Sequence, residues 1–247
     1  MSPTDRPVVM ITGAAKRVGA MIARTLHAAG YDLALHYRHS HGEMDALVVE
    51  LESRRADSTL AVQGELADIA HLPRLVGTCI ARYGRLDGLV NNASAFYPTP
   101  IGSATVEQWN ELFSSNAQAP FFLAQAAAPH LKNAHGSIVS IADIYALRPL
   151  LHHPIYSMAK AALVAMTRSL ARDLAPDVRV NAIAPGAILW PEAGKTAADQ
   201  TDLIARTPLA RTGTPEDVAT AVLFLLRDAK FTTGQILHVD GGRELVV

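Results

Sequence analysis

Val8-Val9-Met10-Ile11-Thr12-Gly13-Ala14-Ala15-Lys16-Arg17-Val18-Gly19-Ala20-Met21-Ile22 joins a short apolar run to a glycine-bearing turn, then to a segment where Val18, Met21, Ile22 and Leu26 recur at the helical period. The run is too short for a buried helix and reads as a strand; the segment after the turn reads as a helix returning along a sheet. Further apolar or β-branched runs stand at Leu33–Tyr37, Thr59–Val62, Gly88–Val90, Ser137–Ile141, Val178–Ile183 and Gln235–Val239. Helix-length segments separate them, and Leu72, Leu75, Val76, Cys79 and Ile80 trace the apolar stripe of one. Strand and helix alternate along the chain, with no repeat and no Gly/Ser-rich linker. This predicts one α/β domain over residues 1–247, a doubly wound seven-stranded parallel sheet with helices on both faces. In such sheets ligands bind beyond the carboxyl ends of the strands. The widest interval between strands, Pro185 to Gly234, carries Trp190-Pro191-Glu192-Ala193-Gly194 and is expected to supply a mobile substrate lid, an insertion near residues 187–212.

Composition bounds what such a domain does. Of 247 residues, 49% are hydrophobic and 18% charged. That charge content is below the roughly 25% usual for soluble domains, so more apolar surface is expected than one subunit hides, and a homo-oligomer is the consequence. Twenty-two Lys+Arg against 23 Asp+Glu leave a net charge of −1. There is no global field for a nucleic-acid backbone or an anionic membrane, and neither is expected as a partner. The single cysteine, Cys79, cannot form an internal disulfide and reads as a small core residue. The N-terminus lacks a signal-peptide core, and no stretch reaches the ~18 apolar residues of a membrane span, so a soluble, cytoplasmic protein is expected.

In the turn Thr12–Gly19, small residues allow close backbone approach and the helix after it offers the positive end of its dipole, together a place for phosphate. A dinucleotide fits this turn; a tight strand–helix turn without ligand is the plainer alternative. Enzymes that select NAD usually end their second strand with an acid that binds the ribose hydroxyls and would repel a 2′-phosphate. Here that strand ends in His36-Tyr37-Arg38-His39-Ser40, without an acid. With Lys16 and Arg17 in the turn, cationic and hydroxyl donors gather where the extra phosphate of NADPH would lie, and NADPH is the expected cofactor; a solvated basic loop is the alternative. His36, His39 and His41 lack an accompanying Cys or acid cluster, so no metal is expected.

Tyr156 and Lys160 stand four apart in Tyr-Ser-Met-Ala-Lys, so on a helix they share a face about 5–6 Å apart. The ammonium is expected to lower the Tyr pKa from about 10, suiting it to proton donation, while the lysine can also hold ribose hydroxyls. Alone, the pair equally fits an amphipathic surface. Asn91-Asn92-Ala93-Ser94, Asn116, Pro185-Gly186 and Asp240-Gly241-Gly242 supply context, and with them the chain resembles the short-chain dehydrogenase/reductase family over essentially its whole length. The resemblance implies a Rossmann fold. It implies cofactor contacts from Gly13, Lys16, Arg17, Val18 and Gly19, from Tyr37, Arg38, His39 and Ser40, and from Glu65 and Leu66 on the adenine side. Asn92, Ala93, Ser94, Tyr156, Lys160, Pro185, Gly186 and Ile188 complete that set, and Asn116 joins Tyr156 and Lys160 in catalysis. The family's turn motif is TGxxxGxG, and Arg17 stands at its middle glycine; Ile188-Leu189 stand where the family often has Thr.

The family's catalytic Ser lies thirteen residues before the Tyr, and here that position is Asp143. A serine hydrogen-bonds a carbonyl oxygen, whereas an ionised aspartate repels the alkoxide of carbonyl reduction. An acid suits a heterocycle with N–H donors and a C=N bond, where hydride goes to carbon and a proton to ring nitrogen. A loop cap after Ile141 is the structural alternative. Phe96, in Asn-Asn-Ala-Ser-Ala-Phe-Tyr-Pro, could stack on a flat ring or pack in the core. Together TGAAKR, HYRHS, NNASAFYPTP, Asp143 and YSMAK resemble the pteridine reductase branch of the family. That resemblance implies Arg17 and Ser94 at the pterin and cofactor phosphates, Phe96 on the pterin, Asp143 with Tyr156 relaying the proton, and Leu189 and Trp190 lining the pocket. The implied activity is NADPH-dependent reduction of a dihydropterin, with dihydrofolate a further candidate. A ketone or 3-oxoacyl-carrier reductase stays open, as does a non-catalytic NADPH-binding regulator. Small residues after Tyr156 (Ala159, Ala161, Ala162, Leu163, Ala165, Met166) suit helix contact between subunits and, with the resemblance, imply a homotetramer. The C-terminal Asp240–Leu245 leaves open a reach into a neighbouring active site.

Overall fold

β1 (Val8–Ile11) is buried along its whole length, and its alternate residues feed two cores, Val9 and Ile11 one, Val8 and Met10 the other. That double burial is why its sequence is continuously apolar. The computed structural model describes residues 5–189 and 196–246. In chain order β1 leads to α1 (Arg17–Ala28), β2 (Asp32–Tyr37), α2 (His41–Arg54), β3 (Thr59–Gln63), α3 (Leu72–Tyr83) and β4 (Gly88–Asn91). Then come α4 (Val106–Phe113), α5 (Ala119–Asn133), β5 (Ser137–Ile141), α6 (Pro154–Asp173), β6 (Arg179–Pro185), α7 (Ala197–Ala205), α8 (Pro215–Arg227) and β7 (Ile236–Val239). The seven strands pair in parallel in the order β3-β2-β1-β4-β5-β6-β7. Buried residues of α1, α2 and α8 cover one face, and those of α3 and α5 the other.

Strand limits move by a residue or two from those expected, at β2 and at the start of β6 for a local reason. β2 begins at Asp32 because its fully buried carboxylate is paired with Arg6 at 2.8 Å and Arg55 at 3.6 Å, so a charge can open an apolar strand. Val178 stays outside β6 because its amide donates to Leu174, the carbonyl ending the previous helix. The long interval after β6 is not all substrate cover. α8 within it is a core helix, with Val218, Ala219, Val222 and Leu225 packed in the cluster that holds α1. Trp190 to Gly194 lie outside the described residues. α4 and α5 are joined by a π-helical turn, Ser114–Gln118. Cys79 is buried, its thiol pushed up to about 12 by desolvation, which makes it inert.

Candidate active site

From β1 the chain runs outward to β3, then returns to pair β4 on the other side of β1, and a cleft of about 940 Å³ opens at the carboxyl ends around that reversal. Its first half is built by the turn after β1. Gly13 has φ +62°, and a Cβ there would lie 3.0 Å from the Cα of Ala93; a Cβ on Gly19 would lie 2.2 Å from the Gly13 carbonyl oxygen. The two glycines let β1, α1 and the strand exit at Asn92-Ala93 converge. Asn92 fixes the convergence by donating from Nδ2 to the carbonyls of Thr12 (2.9 Å) and Gly13 (3.0 Å), and Thr12 Oγ1 accepts from the amides of Asn92 and Ala93. Lys16, at the N-cap of α1, provides no side-chain acceptor for the helix amides, and no acid stands in the first turn. The positive end of α1 therefore faces the cleft with no side-chain cap at Lys16 among the described residues, which fits an anionic dinucleotide phosphate. Arg17 keeps φ at +52°, the left-handed conformation natural to the glycine it replaces.

Val18, Tyr37, Arg38, His39, Ser40, Glu65 and Leu66 line the same half of the cleft. The cations there are partly matched by acids from neighbouring elements: Lys16 pairs with Glu43 of α2 at 2.6 Å, and Arg38 with Glu65 after β3 at 3.5 Å. His36 is a correction to the basic cluster expected after β2. It is buried, its Nδ1 accepts from the Gly13 amide at 3.3 Å, its Nε2 lies 3.1 Å from the Gly64 carbonyl, and desolvation lowers its pKa, so it is a neutral strut behind the turn. His41 turns to the Tyr37 hydroxyl at 3.3 Å. Pro185, Gly186, Ile188 and Leu189 form the opposite wall, where the Gly186 amide donates to Val239 and its missing side chain clears the Cα of Asp240, 2.8 Å from where a Cβ would sit.

The second half rests on α6. His153 is its N-cap and Pro154 its first residue, so Tyr156 and Lys160 fall in successive turns on the buried side. Tyr156 Oη donates to Asp143 Oδ2 at 2.6 Å. The other carboxylate oxygen, Oδ1, accepts from the Tyr145 amide at 2.9 Å, so Asp143 both caps the turn after β5 and faces the cleft. Lys160 Nζ donates to the Ile141 carbonyl at 2.8 Å and lies 5.7 Å from the Tyr156 ring centre. Burial lowers the Lys160 pKa to about 8, against the opposing pull of Asp143. The expected lowering of the tyrosine is overturned: burial first, then the Asp143 charge and hydrogen bond, hold Tyr156 well above the ordinary tyrosine value, with Ser94 acting in the opposite direction. A phenolate beside a carboxylate in a desolvated site is simply costly.

Asn116 is buried in the π-helical turn, behind the cleft wall. It donates from Nδ2 to the carbonyls of Ala95 and Leu112, both at 2.9 Å, and accepts from Ser94 Oγ at 2.7 Å. Asp143, Tyr156, Ser94 and Asn116 thus form one chain of polar contacts across the cleft floor. Phe96 is 44% exposed on its wall, stacked on His153 (4.8 Å between ring centres, 12° between planes) and edge-on to Tyr156 at 4.8 Å. The His153 stack was not expected, although its place three residues before Tyr156 puts both on one side of α6 and could have signalled it. Tyr145 and Glu111 also line the cleft, and nothing in their sequence surroundings marks them.

Residues 13–244 match the family model described as enoyl-(acyl carrier protein) reductase. The chain belongs to the short-chain dehydrogenase/reductase family. It is an oxidoreductase of a family that works with a nicotinamide cofactor. Pteridine reductase 1 of Leishmania tarentolae is 37% identical over 285 aligned residues, covering 99% of this chain and 98% of that protein. A granaticin polyketide synthase putative ketoacyl reductase of Streptomyces violaceoruber is also 37% identical, with 98% of each chain covered. A 3-oxoacyl-[acyl-carrier-protein] reductase of Staphylococcus aureus is 31% identical over 94% of this chain and 96% of its own. Similarity thus extends to relatives named for pterins and for acyl carriers alike, and the choice between them falls to the site. No helix among the described residues is long and apolar enough to cross a membrane.

Proposed function

We propose that this short-chain reductase is an NADPH-dependent pteridine reductase, adding hydride to a C=N bond of a dihydropterin. The observation that carries the reading is the 2.6 Å contact between Tyr156 Oη and Asp143 Oδ2 inside the cleft, beside the exposed ring of Phe96. A carboxylate there accepts hydrogen bonds from N–H groups of a flat heterocycle and opposes charge on a developing alkoxide. The similarity to the Leishmania tarentolae pteridine reductase points the same way.

In this reading Arg17, Arg38, His39 and Ser40 hold the 2′-phosphate and pyrophosphate side, with the N-terminus of α1 supplying amides. Lys160 and Tyr156 hold the ribose, and Gly186 and Ile188 the carboxamide side. When bound, the reduced nicotinamide supplies the hydride. Tyr156 delivers a proton to the ring nitrogen, and Asp143 stands in contact with the same hydroxyl to relay its replacement. Lys160, charged below about 8, offsets the negative charge left on the pair. Phe96 supports the ring by stacking, worth about 0.5–1.5 kcal/mol beyond its buried area. The same reading includes a homotetramer in the cytoplasm.

Purified protein should oxidise NADPH, monitored at 340 nm, when dihydrobiopterin or dihydromonapterin is added, and should prefer NADPH to NADH. Asp143→Ser should depress pterin turnover by about a hundredfold or more, the scale of a lost general acid–base group, while preserving or raising turnover of a ketone. No turnover of any pterin by the wild-type protein, with turnover of a 3-oxoacyl thioester, would assign the site to carbonyl reduction.

A further inference from the structure

The outer wall of the cleft carries a second carboxylate that the proton relay does not use. Glu111, near the end of α4, lines the same cavity as Phe96, Ser114 and Ser115, and its side chain is exposed there. One oxygen, Oε2, accepts from the Tyr97 hydroxyl at 2.9 Å, and that hydroxyl also reaches the Gln108 carbonyl at 3.4 Å. Burial and Glu111 push the Tyr97 pKa up to about 12, so the phenol stays a donor. Tyr97 directly succeeds the stacking residue Phe96. The strip holding both is stitched to the start of the π-helical turn by the Ala95 amide on Ser115 Oγ (3.3 Å) and Asn116 on the Ala95 carbonyl (2.9 Å); Ser115 Oγ in turn donates to the Glu111 carbonyl at 3.1 Å. Glu111 is therefore a fixed anion on the wall shared with the ring-stacking phenylalanine, with Oε1 in no hydrogen bond within the protein among the described residues.

We infer that Glu111 is a specificity-determining residue that reads the arm carried by the substrate ring. This rests on the pterin reading of the site. A ring held against Phe96 beside Asp143 projects its substituent along the cleft wall. There Glu111 accepts hydrogen bonds from hydroxyl or amine donors and repels carboxylate or phosphate. Neutral polyhydroxyalkyl arms are favoured, and arms ending in acid groups are disfavoured, without any change at the reacting atoms.

The test compares wild type and Glu111→Gln on three substrates: a 7,8-dihydropterin with a polyhydroxypropyl arm, 6-methyl-7,8-dihydropterin, which has almost no arm, and 7,8-dihydrofolate, whose arm ends in two carboxylates. Glutamine keeps an acceptor for Tyr97, so the wall stays in place. Glu111→Gln should raise KM for the polyol substrate about fivefold with kcat within about twofold, leave the methyl substrate unchanged, and lower KM for dihydrofolate about fivefold, a modest effect scaled to a partly exposed charge. Added salt should lower the wild-type KM for dihydrofolate and leave that of the variant flat. Tyr97→Phe, which keeps the charge and removes its anchor, should weaken the discrimination only partly. An unchanged ratio of dihydrofolate to polyol KM in Glu111→Gln, or an equal shift on the methyl substrate, overturns the inference while leaving pterin reduction intact. Turnover of none of the three refutes the pterin reading and this inference together.

Discussion

Lys160 and Arg17 show how much a single side chain can decide. Lys160 loses its charge near 8 while Tyr156 keeps its proton beyond the ordinary tyrosine range. The alkaline limb of kcat/KM should therefore fall through about 8 and belong to the lysine, and Lys160→Arg should move that limb upward by at least a unit; a limb that stays in place belongs to another group. The shift also has a stability sign. From about 8 up to the ordinary lysine value of 10.5, the unfolded chain binds a proton that the folded one does not, so this residue's contribution to stability grows as pH rises through that window. Arg17 sits at φ +52°, which costs a non-glycine residue about 1–2 kcal/mol, whereas glycine adds about 0.5–1 kcal/mol of chain entropy to be lost on folding. Arg17→Gly should accordingly gain no more than about 1.5 kcal/mol in denaturant unfolding while weakening NADPH binding roughly tenfold, because a guanidinium leaves the turn. A large stability loss would mean that Arg17 holds the turn through its side chain.

At the level of elements, the turn between β1 and α1 leaves no room for a side chain at Gly19. A methyl on Gly19 would overlap the Gly13 carbonyl at 2.2 Å and the Asn92 amide at 2.7 Å, so the strand–helix join and the Asn92 clamp would have to separate. Gly19→Ala should cost about 3 kcal/mol, lowering Tm by roughly 6–12 °C in a thermal melt, together with loss of cofactor binding. An unaltered Tm would show that the turn can open without strain. This join was legible in the sequence because glycine spacing and apolar period both report on it. The strands were legible for a related reason: burial on both faces leaves them few polar residues. Asp32 escaped because an ion pair, not hydrophobicity, admits it to the strand, and the π-helical turn at Ser114–Gln118 escaped because Ala, Ser, Asn and Gln carry no pattern that distinguishes it from ordinary helix. Asp143 was legible by its offset from Tyr156, and of the Phe96–His153 stack the sequence carried only the placing of His153 beside Tyr156, since the fold alone brings Phe96 to them.

For the molecule as a whole, the apolar excess seen in composition appears as specific exposed side chains. Phe231 is fully exposed, and Phe224 of α8, Leu237 of β7, Phe121 of α5 and Met158 of α6 are exposed large apolar groups. The small-residue stripe on α6 contributes less than expected, because Ala159 and Leu163 are buried within their own subunit while Ala161 and Ala165 face outward. Sedimentation at micromolar concentration should give a species four times the 26.4 kDa chain, and a 26.4 kDa species would remove the tetramer. The C-terminal turn bears on the same measurement. Arg243 is buried, donates to the Leu203 carbonyl at 3.1 Å, and hydrogen-bonds Tyr145, whose amide in turn holds Asp143. Arg243 therefore ties the C-terminal turn to its own subunit, two steps from Asp143. Anyone attaching a purification handle or trimming the tail there would be pulling on the same thread that aims Asp143, so a loss of activity in such a protein would say nothing about its substrate.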